Sequence, residues 1–165
     1  MTNHLKEFEL NNDSTKVSYK EGEPLELNND FNFFHNKNKF RKELNELQYL
    51  FKDYTGDSLV ASGIRDSYLE EEISENFLII FFATNDTVRN ATKFIEPKIN
   101  LTFEVGYYYL ESTPNYILLL SKDMAGLITG INTLKIIFTQ AFEHYLKVNN
   151  PEEYVKIRPF EIYSN

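Results

Sequence analysis

Residues Asn100 to Ser121 read NLTFEVGYYYLESTPNYILLLS, and the way this stretch folds decides how the chain is assembled. Its second half, YILLLS at Tyr116–Ser121, is an unbroken apolar run of the kind that fills a strand buried on both faces. In the first half, Asn100 predicts a helix N-cap, because its side-chain oxygen can accept an amide proton of a turn beginning at Leu101. Glu104 then falls in the first turn, where the helix dipole favours an ionised carboxylate. Leu101, Val105 and Tyr108 share one face of that helix, and Gly106 permits a close approach at about 1 kcal/mol of helix propensity. Two readings of Glu104 follow: support for a helix start, or a catalytic carboxylate.

Working outward, NFLIIFFAT at Asn76–Thr84 is a second buried-strand run, followed by the polar loop NDTVRNATKFIEPKIN. Upstream, Phe40, Leu44, Leu47 and Phe51 recur at helical spacing and predict a helix over Lys37–Asp53 closed near Gly56. FNFFH at Phe31–His35 and DSLVAS at Asp57–Ser62 read as strands, and SYLEEEIS as a short acidic helix capped by Asp66 or Ser67. Downstream, Gly126 and Gly130 mark a loop before a helix over about Asn132–Val148, closed by Pro151. IRPFEIY then forms a last strand or an ordered tail. Residues 1–30 are rich in Asn, Asp, Glu and Lys and read as a polar extension, with at most a short strand or hairpin and little core.

The chain has 165 residues, a length suited to one domain, here residues 31–165 after the extension. Its hydrophobic share of 42% and aromatic share of 15% are enough for a sizeable core. The formal net charge of −8 excludes general affinity for nucleic acid, which needs clustered Lys and Arg to displace counterions. A small anionic ligand held by a local site is still allowed. With no cysteine there are no disulfides and no thiolate chemistry, and His4, His35 and His144 lack metal-ligand spacing. Consecutive Glu70–Glu72 point in different directions on a helix and form a solvated face, so no metal or other cofactor is expected. MTNHLKEFELNND has no signal-peptide core and no apolar run spans a bilayer, which predicts a cytoplasmic protein without membrane contact.

Non-alternating strands separated by helices predict an α/β domain: a single parallel sheet with helices on both faces. The ligand crevice of such a sheet lies beyond the carboxyl ends of its strands. That rule gathers His35, Asn36, Asn85, Asp86, the Asn100 segment and Ser121–Met124 around one edge.

FEVGYYYLESTPNYILLLS resembles the signature of the nucleoside 2-deoxyribosyltransferase family, a Glu-aliphatic-Gly-Tyr helix start followed by a buried strand. NLTFEVG is also similar to the Asn, aromatic, Glu, aliphatic, Gly order of TIR-like domains in the same broader group. The resemblance implies a flavodoxin- or Rossmann-like fold and cleavage or exchange of an N-glycosidic bond in a nucleoside, nucleotide or NAD. Glu104 would then be the nucleophile or the stabiliser of the oxocarbenium ion, since an anion close to the anomeric carbon suits that transition state. Asp86 would hold sugar hydroxyls or hand a proton to the base. His35, Asn36, Asn85, Asn100 and Tyr107 would bind substrate. The ending KIRPFEIYSN resembles a tail lent to an adjacent subunit, which implies a homo-oligomer. The position where the transferases carry an acid holds Phe77, which favours two alternatives. One is a TIR-like NAD hydrolase or cyclase, a class that would fit phage defence. The other is a non-catalytic nucleotide-binding or protein-interaction module.

Overall fold

Apolar spacing builds the first helix. Leu44, Leu47 and Phe51 are buried along one face of α1 (Arg41–Thr55), and Gly56 closes it in a left-handed conformation (φ 81°) with its amide on the Lys52 carbonyl. The computed structural model describes residues 4–10, 15–27, 32–35, 41–56, 60–63, 78–83, 104–148 and 154–163. Its other elements are β1 (Val17–Tyr19), β2 (Leu25–Leu27), β3 (Asn32–His35), β4 (Val60–Gly63), β5 (Leu78–Ala83), β6 (Tyr109–Ser112), β7 (Tyr116–Ser121), α2 (Met124–Val148), β8 (Val155–Ile157) and β9 (Phe160–Tyr163). The acidic helix expected at SYLEEEIS lies outside the described residues.

The sheet corrects the expected parallel architecture. Seven strands run in the order β1-β9-β6-β7-β5-β3-β4, and β2 with β8 forms a separate two-stranded sheet. Among the described residues only β3 and β4, joined through α1, are parallel; the other described pairs in both sheets are antiparallel. This is a mixed sheet, not a doubly wound parallel one. The two described helices share one core. α1 and α2 enter the same core cluster, with Leu110, Ile117, Leu119, Phe160 and Ile162 of the sheet beneath them.

The reason lies in the Asn100–Ser121 stretch. No helix forms at Glu104–Tyr108; the chain turns there and enters β6, which pairs with β7 as a hairpin (Tyr109 opposite Leu120, Ser112 opposite Ile117). Thr113-Pro114-Asn115 closes it: the Thr113 amide donates to the Tyr116 carbonyl at 2.8 Å. The Thr113 hydroxyl oxygen accepts from the amides of Asn115 (3.2 Å) and Tyr116 (3.1 Å). A connection this short forces antiparallel neighbours, because a parallel pair needs a long crossover.

At the chain ending, IRPFEIY supplies the last strand that its sequence allowed. β9 is an interior strand flanked by β1 and β6 of its own chain, not an arm extended toward a neighbour. The first thirty residues supply β1 and β2, and Phe8, Leu25 and Leu27 belong to the core.

Helix α2 begins at Met124, so Gly126 and Gly130 lie inside it and not in a preceding loop. One helical turn apart, they mark the side that meets the sheet. A Cβ built on Gly126 would stand 2.2 Å from both the Ser121 hydroxyl and the Tyr107 carbonyl, and one on Gly130 would stand 2.4 Å from a Leu119 methyl. Further along, Phe138 and Phe142 meet Phe51 edge-on with centroids 5.1 and 5.2 Å away, and Tyr54 stacks on Phe142. Such ring pairs contribute about 0.5–1.5 kcal/mol each beyond their buried area.

Gly126→Ala therefore destabilises the fold by about 1–3 kcal/mol, although alanine is the better helix former. A urea titration checks this: the midpoint falls in Gly126→Ala and falls less in Gly130→Ala, where the obstacle is a side-chain tip and not backbone.

Candidate functional site

Glu104 opens a tight turn. The Tyr107 amide donates to the Glu104 carbonyl at 3.1 Å, and Gly106 sits at φ 83°, the left-handed position that a type II turn reserves for glycine. Asp123 fixes this turn to the helix. Its carboxylate accepts the Gly106 amide on both oxygens (3.2 and 3.0 Å) and, three residues into α2, the Gly126 amide at 2.7 Å. It is thus the N-cap of α2 and the anchor of the turn together. The buried Ser121 hydroxyl completes the knot by donating at one time to the Tyr107 carbonyl (2.8 Å) or the Asp123 carbonyl (3.1 Å).

The Glu104 side chain is exposed, as is Val105, while Tyr107 is half-buried. Glu104 lies close enough to Tyr163 for its charge, after burial, to push that phenol above its ordinary range. Tyr108 points the other way: it is fully buried, hydrogen-bonded to Thr133 at 2.7 Å, and held above its usual pKa by burial. It is core.

Of the residues expected to join Glu104, Tyr107 does so through the turn. His35 ends β3 opposite Gly63 and Ile80, and its backbone shares a row with Leu110 of β6 three strand spacings away, about 14 Å. The side chain of His35 and the residues Asn36, Asn85, Asp86 and Asn100 lie outside the described residues. The carboxyl-end rule that gathered them has no single edge to act on here. β5 runs against β3 and β7, so its carboxyl end, Ala83, pairs with Tyr116, about 17 Å along the strand from Leu78 and Ser121.

A second polar group, which the sequence reading passed over, sits on the other end of β6. Glu111 and Glu161 stand directly opposite each other across β6 and β9. Like charges in that position repel. Tyrosine hydroxyls relieve the contact: Tyr109 donates to one oxygen of Glu111 at 2.8 Å and Tyr116 to the other at 2.7 Å. Lys20 reaches Glu161 only at 4.0 Å, with both side chains substantially exposed. Burial first, and then these carboxylates, drive the Tyr109 and Tyr116 phenols well above their ordinary range. They are hydrogen-bond donors that keep their protons, not general bases. A cavity of about 240 Å³ opens here among Lys20, Glu21, Glu111, Thr113, Pro159 and Glu161. Drug-sized ligand pockets start near about 300 Å³. Among the described residues no group of three or more His, Asp or Glu side chains could hold a metal ion, and no helix is long and apolar enough to cross a membrane.

No family model, no curated protein and no solved structure matches the chain.

Asp123→Ala removes the cap and the turn anchor together, at a cost of about 1–2 kcal/mol. Hydrogen exchange of the Gly106 and Gly126 amides should accelerate well beyond that of the α2 midsection. The tyrosines predict an alkaline limit. Their folded-state pKa values lie above the unfolded value of 10.0, so their contribution is complete below pH 10 and is lost as pH rises toward the folded values. Unfolding followed by circular dichroism should set in above pH 10, and Glu111→Gln should leave Tyr109 and Tyr116 easier to ionise in a phenolate absorbance titration.

Proposed function

We propose that this chain is a non-catalytic binding module for a nucleoside- or nucleotide-class small molecule, with its recognition centred on the Glu104–Tyr107 turn. The observation that carries this reading is the setting of Glu104: a carboxylate open to solvent, near enough to Tyr163 for its charge to act on that phenol, and three residues before Tyr107 in a tight turn. An exposed carboxylate in a segment rich in tyrosine suits a sugar hydroxyl or base amino group as acceptor. It suits nucleophilic catalysis less well. A nucleophile at an anomeric carbon works in a site closed to water, opposite an acid whose pKa lies near the working pH. The described phenols near the sheet rim have pKa values above the ordinary range and make poor proton donors in that sense.

A second reading keeps the expected chemistry. In it the same carboxylate cleaves or exchanges an N-glycosidic bond, as a deoxyribosyltransferase-like enzyme or a TIR-like NAD hydrolase or cyclase. The FEVGY resemblance and the proximity of Tyr107 and Tyr163 to Glu104 support it.

Calorimetric titration with nucleosides, nucleotides and NAD, run beside chromatographic product analysis, separates the two. The binding reading expects saturable heat without any base released or exchanged, and an affinity lowered about two- to fivefold in Glu104→Gln, as for a solvent-screened polar contact. Turnover by the wild type that Glu104→Gln abolishes would overturn it in favour of the enzyme. Absence of both heat and turnover would remove both readings.

A further inference from the structure

Residues 4–10 belong to no strand or helix, yet side chains from three different parts of the fold hold them. Gln140 of α2 makes paired bonds with Glu9: the Glu9 amide donates to the side-chain oxygen (2.9 Å) and the side-chain amide donates to the Glu9 carbonyl (2.6 Å). Tyr19 of β1 accepts the Phe8 amide on its hydroxyl at 2.7 Å. Arg158, between β8 and β9, donates to the Lys6 carbonyl and lies 4.4 Å above the centre of the Tyr19 ring, so these two clamps brace each other. All four bonds end on the main chain of the segment and none on its side chains.

The side chains of the segment enter at separate points. Phe8 is buried, edge-on to Phe160 (ring centroids 5.6 Å) and tilted against Tyr19 (6.2 Å), while Leu5 and Leu10 pack half-buried on the same core. Lys6, Glu7 and Glu9 between them are exposed. A groove recognises an extended peptide in this manner: main-chain bonds supply the grip, and pockets for spaced anchors supply the choice. The floor of the groove does not depend on its occupant, because the pairing of β1 with β9 already sets Tyr19 directly opposite Phe160.

We propose that this strap is exchangeable, and that the groove of Tyr19, Gln140, Arg158 and Phe160 docks residues 4–10 of a second copy of the chain in place of its own. Fit decides the occupant. A second copy offers the same main chain and the same three anchors, so reciprocal exchange remakes every bond of the closed monomer. The groove shares no residue with the Glu104 turn, and the exchange stands or falls apart from the small-molecule reading.

The test uses full-length chains and a labelled peptide of residues 1–10, read by fluorescence anisotropy. Phe8→Ala empties the anchor pocket, and that chain should bind the peptide saturably. The wild type should bind it at least about tenfold more weakly, because a tethered strap competes at an effective concentration of about millimolar. Gln140→Ala added to Phe8→Ala should weaken the peptide about two- to tenfold. Light scattering of the concentrated wild type should show a dimer fraction that Phe8→Ala lacks. If Phe8→Ala does not fold, Glu9→Pro takes its place, since it removes the amide donated to Gln140 and leaves Phe8 present. No saturable binding by the loosened chain, or equal binding by it and the wild type, would overturn the exchangeable strap. Peptide binding without a wild-type dimer would overturn its assignment to a second copy.

Discussion

The close seat of α2 on β7 is the constraint on which the rest of the molecule depends. Only Lys122 and Asp123 separate the strand from the helix, so the chain must fold back at once, and it does so with glycine at the two points of nearest approach. Each polar group at that junction already has a partner. The Ser121 hydroxyl serves the Tyr107 and Asp123 carbonyls, and the Asp123 carboxylate serves the amides of Gly106 and Gly126. The Glu104 turn is therefore placed by helix capping and not by any requirement of its own side chain. Whatever Glu104 binds, it does so from a position set by the packing of a helix.

That constraint also explains which parts of the fold were legible in sequence. Burial periodicity is a local property, and it located α1, β5 and β7 to within a few residues. Pairing direction is not local. The apolar runs at Phe77–Ala83 and Tyr116–Ser121 look the same whether their neighbours run with them or against them. The information that decided direction was the three-residue Thr113-Pro114-Asn115 link, a hairpin signal that a helical reading of the segment beginning at Leu101 concealed. Gly126 and Gly130 misled in the opposite sense: read as loop residues, they are instead the helix surface, small because Tyr107 and Leu119 are so near. In the first thirty residues the polar majority hid Phe8, Leu25 and Leu27, and a strand of three residues with one exposed position leaves little periodicity to detect.

Polar sites were still harder to see, because their members meet only through strand pairing. Glu111 and Glu161 are fifty residues apart in sequence and adjacent in the sheet. Arg158 reaches Lys6 across nearly the whole chain. No spacing rule links such residues. Such residues acquire their neighbours only when the strands pair, and nothing in their local sequence marks them beforehand. Glu104 drew attention for the opposite reason: it is conspicuous locally, in an aromatic setting, and the structure accounts for much of that setting as core on one side and a turn on the other.

Both charged regions lean on β9. Glu161 faces Glu111 on one side of the strand, while Phe160 and Ile162 fill the core on the other; Arg158 is held at its entrance. Lys20 joins the two regions, its carbonyl taken by Arg158 and its ammonium turned toward Glu161. Because side chains alternate, a register slip of one residue would carry Glu161 into the core and expose Phe160 and Ile162, so the hydrophobic pattern alone locks the strand in place. The carboxylates are thereby held opposite each other against their repulsion, and among the described residues the guanidinium meets carbonyls and a ring, not a carboxylate. Local electrostatics would select neither arrangement. Core packing imposes both.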